Sequence, residues 1–549
     1  MENHPQTPRP ASLDSESGEG GARWLLLAAI GIGLALRVRG LNEVPLVYDE
    51  VTRAILCTRP LLALPGELSA THHFPPLNYV LQHLWGLAGH CDSGLRLLSA
   101  LMGTLTIPAL YLLARLWCGR LVSACCALAL AISPFQIASS QLVRAYTLFG
   151  LTTTLSVWAF VWFLRSPTWR RSALWGLCTS ALLYTHYFGL FVALTQVLAL
   201  LCFRPLSTTI VVRSLVTGVG VTASYLPWLP YLLTRMRLDY ISVDVFSLSE
   251  VTPHFLLTLL NALSGTYSQG FYSSKLATRP WLEAFEPWTL VYLALALAGL
   301  MLLTRRSRWA GLLAAMWFLI PASLSILAVH FGQSFLAPRY FTPTSLCLTF
   351  LVGVMTGESV RWILMRTQVS GVPGLLLATV LALAIGLTPV AANLWTYSQE
   401  RRDGHTRDPG KVAEWIRDRV DPAEPVLFAS FGMNPRAQTL AYTLIDYYLD
   451  RGAGAAPRLH SYTPGGVALS ATGRTTLDPM VDRVPRTFVS EREFIFTGGD
   501  PVAVLLADWL QSNPKFWLIG NPPPKVFQGH TVVDKAKVGK FQFLRFVKK

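Results

Sequence analysis

WLLLAAIGIGLALRV (Trp24–Val38), followed closely by LVYDE (Leu46–Glu50), decides the fold. The first stretch is a nearly unbroken apolar run. It is short against the roughly 20 residues that a bilayer crossing needs, and it extends through Leu41 to reach that length. The second stretch sets two adjacent carboxylates, Asp49 and Glu50, just outside the span. Carboxylates so near lipid are costly unless water or a function holds them there.

The totals agree with a membrane chain. The 549 residues are 52% hydrophobic and 14% charged, with a mean hydropathy of +0.41. Soluble domains carry about a quarter charged residues, so the class is a polytopic membrane protein. The formal charge of +15 fits cytoplasmic Lys and Arg and is no sign of nucleic acid binding. Of the eight cysteines, six fall in or beside apolar segments, and no zinc spacing occurs. Cys57 and Cys91 share the first long loop, where they suit either a disulfide in an oxidising compartment or free thiols.

Outward from the opening stretch, residues 1–22 are rich in Pro, Ser, Gly and Glu and are expected to be a disordered cytoplasmic tail. Residues 23–396 are expected to be a transmembrane domain and 397–549 an extracytoplasmic α/β domain. The first loop, 42–95, holds an apolar piece of about 13 residues, Pro76–Ala88, too short to cross. Further apolar segments run over Leu97–Leu116, Leu121–Ala138, Tyr146–Leu164, Ala173–Tyr184, Phe188–Phe203, Ile210–Leu233, Trp288–Leu303, Trp309–Val329, Phe341–Ile363 and Pro373–Trp395. With the first span they make about 11 crossings, within an expected range of about 11 to 13 helices.

Charge sets the orientation. The connections holding Arg115 and Arg120, Arg165 to Arg171, Arg204 to Arg213, Arg305 to Arg308 and Arg361 to Arg366 are Arg-rich and nearly free of acids. The positive-inside rule places them in the cytoplasm. Arg37 and Arg39, at the exit of the first span, point locally the other way. The opposite connections carry Asp49, Glu50, His72, His73, Arg144, His186 and Arg339, so these candidates share the extracytoplasmic side. The long loop 234–287, with Tyr240, Tyr267, Phe271 and Tyr272, has the length of a lid or binding element.

Each candidate has a plain reading beside the chemical one. Asp49 or Glu50 suits a general base for an acceptor hydroxyl, or the N-terminal cap of a helix. In His72-His73-Phe74-Pro75-Pro76-Leu77 the prolines fix the backbone and start a helix. His72 and His73 with an acid have the donor types for a divalent ion, but adjacent histidines rarely chelate one ion, so no metal is predicted. Arg144 and Arg339 can bind phosphate through paired hydrogen bonds or anchor at the interface. His186 suits phosphate binding or an ordinary helix end, and Tyr48, Tyr146 and Tyr340 stand beside these groups.

In the C-terminal part, Pro425–Ala429 and Phe516–Ile519 read as buried strands and Lys540–Phe546 as an alternating strand. Val412–Arg419, Ala437–Leu449 and Pro501–Leu510 read as helices.

The order of these motifs resembles the GT-C glycosyltransferase superfamily. In particular it resembles the bacterial branch related to protein O-mannosyltransferases and lipid A aminoarabinose transferases. The stretches that carry the likeness are Leu46–Glu50, His73-Phe74-Pro75-Pro76-Leu77-Asn78-Tyr79, Arg96-Leu97-Leu98-Ser99-Ala100, Ser140-Gln141 with Arg144-Ala145-Tyr146, Thr185-His186-Tyr187-Phe188 and Pro338-Arg339-Tyr340. The resemblance implies a polyprenyl-phosphate-linked sugar donor, a glycan, lipid or protein acceptor, and a site on the outer side of the inner membrane. It implies that Asp49 is the catalytic base, with Glu50 as helper. Arg144, Arg339, Tyr340, His73 and His186 would receive the donor phosphate, and Tyr48, His72 and Tyr146 would contact substrate. No cofactor beyond the lipid-linked co-substrate is implied. Leu142 departs from many relatives, which carry an acid two residues before the arginine. The competing functions are a lipid-sugar flippase or proton-coupled transporter, which would put the acids to proton coupling, and a non-catalytic scaffold. Transporters usually show internal repeats, and none is evident here.

Overall fold

The computed structural model describes residues 16–43, 46–58, 60–70, 75–86, 91–203, 206–237, 247–264, 287–331, 337–367, 409–428, 459–463, 495–497, 510–519, 529–538 and 541–548. The expected crossing Pro373–Trp395, the helix Ala437–Leu449, most of Pro501–Leu510, His72, His73 and the four loop aromatics lie outside them. The chain divides into two compact units. One joins Met1–Leu41 to Phe74–Glu400, and the other joins Asn42–His73 to Arg401–Lys549. The front of the first loop thus falls in the same unit as the C-terminal residues.

The first unit is helical. Helix α1 (Glu16–Val38) begins before Trp24, so Glu16–Ala22 is helix where disorder is expected. Helix formation does not wait for apolar residues. Next come α4 (Leu77–Gly86), α5 (Asp92–Ala114), α6 (Arg120–Ile132), α7 (Pro134–Ser140), α8 (Tyr146–Arg165), α9 (Trp169–Leu183), α10 (Gly189–Cys202), α11 (Thr208–Tyr225), α12 (Leu229–Arg237) and α13 (Pro253–Ser264). The last described helices of this unit are α14 (Pro287–Arg306), α15 (Arg308–Phe331) and α16 (Thr342–Thr367).

Among the described residues seven helices are long and apolar enough to cross a membrane, or eight with α6 and α7 counted as one span bent by 57°. The remainder of the expected set is α9 and α10, of 15 and 14 residues, and the segment outside the described residues. Tyr184–Phe188 separates α9 from α10, as the interruption at His186 predicts. Helix α4 does not cross. Its first N–H donates to the Tyr184 carbonyl at 3.0 Å, and Gln82 and Trp85 tie it to the start of α5.

Packing follows side-chain size. Gly353 and Gly357 of α16 let α6 approach so closely that an added Cβ would lie 2.5 Å from the Cys126 Cα and 2.7 Å from the Val122 Cα. Small residues four apart are how helices meet without an aqueous hydrophobic drive. Inside the bundle, Trp175 donates to Gln196, Gln196 to Ser156, and Ser156 meets Thr179. The apolar flank of α11, including Leu215 and Val219, stays exposed, as a lipid-facing surface requires.

The Arg-rich connections gather at one end. Arg306 pairs with Glu358, which also binds Arg361, and Arg306 reaches the Cys118 sulfur at 3.2 Å. Three of the connections predicted to lie together are thus in direct contact.

The second unit contains α2 (Tyr48–Cys57), α3 (Leu64–Ala70), α17 (Pro409–Arg419) and a six-stranded sheet. Its strands are β1 (Val426–Phe428), β2 (Leu459–Thr463), β3 (Ile495–Thr497), β4 (Lys515–Ile519), β5 (His530–Val538) and β6 (Phe541–Lys548), in the order β3-β2-β1-β4-β6-β5. The first four are parallel, and β6 and β5 are added antiparallel. Val412 and Ile416 of α17, with Val420 just after it, pack on Val426, Trp517, Ile519 and Phe543. Arg545 clasps Glu424 beside β1.

Candidate functional site

Three breaks in the first unit bring the predicted residues together. The turn after α7 carries Arg144 and delivers Tyr146 as the first residue of α8. A short 3₁₀ turn, Pro338–Phe341, presents Arg339 and Tyr340 just before α16. The turn between α9 and α10 presents His186.

Tyr146, fully buried, is the hub. Its phenol oxygen accepts from Arg339 Nε at 3.0 Å and from Arg144 Nη2 at 3.4 Å. The two guanidinium carbons lie 5.9 and 5.7 Å from the Tyr146 ring centre, and Arg339 lies 5.8 Å from that of Tyr340. One phenol oxygen thus orients both guanidinium groups, whose fork of donors is suited to a phosphate. Both arginines are half-buried, so an anion between them would be partly shielded from water.

His186 completes the cluster. It is buried and stacks on Phe149 with ring centres 4.5 Å apart. It lies 6.1 Å from Tyr146 and 6.3 Å from Tyr340. Nδ1 accepts from the Phe188 N–H at 3.1 Å, which puts the proton of the neutral ring on Nε2. The imidazole thus also ends a helix, the plainer of its two readings. Phe149 was not among the sequence candidates, although its place three residues after Tyr146 puts both on one helix face.

The acids belong to the second unit. Tyr48 opens α2, with Asp49 and Glu50 in its first turn, where a helix dipole favours negative charge. Glu50 is fully buried, and its Oε2 accepts the Val47 N–H at 3.0 Å, half of a capping box. Of the two readings for the acidic pair, capping is what Glu50 is seen to do. Asp49 is partly exposed. Nearby Cys57 is a buried thiol, and burial pushes its pKa up to about 12 in spite of Arg53. Cys91 is a free, exposed thiol. Among the described residues no group of three or more His, Cys, Asp and Glu side chains gathers to hold a metal.

Arg37 is the largest surprise. At the sequence level it marks topology, but the side chain is completely buried. It donates to the carbonyls of Ala131 at 2.9 Å and Leu130 at 3.1 Å. Leu130 stands four residues before Pro134, which has no N–H to return, and besides Arg37 its carbonyl accepts only a long 3.3 Å bond from the Ser133 N–H among the described residues.

Comparison with known proteins comes at this point. Residues 72–231 match the family described as dolichyl-phosphate-mannose-protein mannosyltransferase. The whole chain has the fold of ArnT from Cupriavidus metallidurans in the apo state, with a TM-score of 0.58 at 14% identity over 96% of this chain and 98% of that one. The same protein bound to undecaprenyl phosphate matches equally, TM-score 0.58 at 14% identity, over 95% and 98% of the two chains. The Archaeoglobus fulgidus oligosaccharyltransferase tethered with an acceptor peptide gives a TM-score of 0.52 at 13% identity, covering 91% of this chain and 69% of that one. Among curated proteins none matches the sequence. The resemblance carried by the motifs is therefore met at the level of fold: membrane-length helices with a small C-terminal sheet, as in the ArnT and oligosaccharyltransferase structures.

Proposed function

We propose that this protein is a polyprenyl-phosphate-sugar-dependent glycosyltransferase. It moves a hexose or pentose to an acceptor hydroxyl on the extracytoplasmic face of the inner membrane, with inversion. The observation that carries the proposal is the convergence of Arg144 and Arg339 on the Tyr146 phenol. That pair suits a phosphate monoester, and one protein of this fold was crystallised with undecaprenyl phosphate bound.

The chemistry needs little more. The acceptor oxygen forms the new bond to the anomeric carbon and its proton passes to Asp49, the general base. The anomeric carbon–oxygen bond to phosphate breaks, and its electron pair leaves with the polyprenyl phosphate. Phosphate departs readily, so no general acid is needed, unlike hydrolysis of an alkyl glycoside. Arg144 and Arg339, with Tyr340 and His186 beside them, stabilise the charge that grows on the leaving group. Glu50 fixes the start of the helix on which Asp49 rides.

The test is transfer by purified protein in liposomes containing radiolabelled undecaprenyl-phosphate hexoses or pentoses and an acceptor lipid or glycan extract. A new labelled glycoside is the expected product. Label that crosses the bilayer with no glycoside formed would show a flippase instead. Asp49→Asn is expected to insert and fold normally and to lose transfer by a factor of about 100 or more. Normal turnover in that variant would remove Asp49 from the mechanism.

A further inference from the structure

Two conspicuous residues of the sequence motifs, Gln141 and Arg96, have no part in the chemistry above, and the structure assigns them another. Helix α1 stops at Gly40, whose φ of 72° is left-handed, a common way to end a helix. In its last turn the Ala35 and Val38 carbonyls accept from the Arg39 and Leu41 N–H groups, and side chains reach other carbonyls at this exit. The Gln141 amide donates to two of them, those of Leu36 at 3.1 Å and Arg39 at 2.9 Å. Arg96 of α5 donates to the Leu41 carbonyl at 2.9 Å. Gln141 and Arg96 are almost completely buried.

The clasp is reciprocal. Arg37, from the same last turn of α1, caps the broken end of α6 through Leu130 and Ala131. Gly103 makes room for it, since a Cβ there would lie 2.1 Å from Ser140 Oγ and 3.1 Å from Arg37 Nε. The α6–α7 break is therefore held to α1 at both sides, by Arg37 before it and Gln141 after it. Gln141 is the C-terminal cap of α7, and the turn it opens contains Arg144, whose N–H donates to the Leu142 carbonyl at 2.8 Å.

We infer that Gln141 is a positioning residue: it pins the turn that carries Arg144 to the exit of the first span, so that the guanidinium stays aimed at the shared phenol and the phosphate site. The inference rests on the proposed function for the identity of the anion, but the clasp is a feature of the fold.

The experiment is a double-mutant cycle on detergent-solubilised full-length protein, with binding of undecaprenyl phosphate as the first readout and the thermal midpoint as the second. Gln141→Leu is expected to weaken binding roughly tenfold, about what one charge-assisted hydrogen bond lost from a misaimed Arg144 costs, and to lower the midpoint modestly, since two carbonyls lose their donor. Arg144→Ala is expected to weaken binding at least as much, and the double variant to bind like Arg144→Ala alone. Additive losses would mean that Gln141 acts on the fold at large and would overturn the inference. If Gln141→Leu does not fold, Gln141→Asn, which keeps the amide but shortens its reach, enters the same cycle. Wild-type affinity that the Gln141 variant retains removes this inference alone. Absence of wild-type affinity removes the functional proposal as well.

Discussion

Arg339 Nε donates to the Tyr146 phenol at 3.0 Å across a sequence separation of 193 residues. That bond joins the turn entering α16 to the first residue of α8, and Arg144 shares the same oxygen. If the phenol's task is to orient both cations, Tyr146→Phe should leave the charges in place and lose their aim. We expect KM for the lipid-linked donor to rise roughly tenfold with a smaller fall in kcat, while Arg339→Ala loses more in kcat/KM. Initial rates over a range of donor concentrations decide it. Unchanged kinetics in Tyr146→Phe would mean that the arginines hold their places by other contacts.

The apolar helices were readable from hydropathy because each needs its own apolar run. Among the described residues every such run is a helix, and seven or eight, of about 11 expected, are long enough to cross a membrane. The site turns were readable for a related reason. Arg144, His186 and Arg339 are polar residues beside apolar runs, where charge needs a purpose. What the sequence could not supply were relations with no local trace. Arg37 has the same letter whether it sets topology or caps a helix, and only its bonds to carbonyls 93 and 94 residues away separate the two. Its side chain is buried in the bundle on those carbonyls and does not sit at a membrane surface. Parallel pairing in the C-terminal sheet is equally silent, since β1 meets β2 and β4 through long connections that no periodicity records.

The close approach of α6 and α16 makes a stability prediction. A Cβ at position 353 would stand 2.5 Å from backbone that cannot rotate away, so Gly353→Ala forces the helices apart. We expect a loss of about 1–3 kcal/mol, read as a lower thermal midpoint in detergent. Gly218, where a Cβ meets nothing within 4 Å, is the control. Gly218→Ala should match wild type or improve on it slightly. An unshifted midpoint in Gly353→Ala would show that the two helices are not in close backbone contact.

Thiol chemistry checks sidedness. Cys91 and Cys202 are both free and exposed. Cys91 directly precedes α5, whose far end leads to Cys118 and the arginine cluster. Cys202 ends α10, which begins just after the His186 turn. On the predicted orientation, a membrane-impermeant maleimide applied to spheroplasts labels Cys91 and spares Cys202 until the membrane is opened. Cys57 should resist at neutral pH on either side, because burial raises its pKa to about 12 and leaves almost no thiolate. Labelling of Cys202 first would reverse the orientation and move the proposed site to the cytoplasm.

The C-terminal sheet should weaken in acid, and one residue says why. His530 opens β5 opposite Lys548, with its ring 5.5 Å from Phe516. Among the described residues neither of its ring nitrogens finds a hydrogen-bond partner. Partial burial and the Lys548 charge lower its pKa from the ordinary 6.5. A histidine whose folded pKa lies below its unfolded value favours folding in its neutral form. Its contribution is complete above about pH 6.5 and disappears as pH falls through the lowered folded value. Hydrogen exchange at Phe516–Ile519 and Phe541–Lys548, corrected for intrinsic rate, should therefore show protection declining below about pH 6.5. His530→Gln cannot charge and should flatten that decline while protection at pH 8 changes little. An identical acid response in the variant would assign the effect to other groups of the sheet and not to His530.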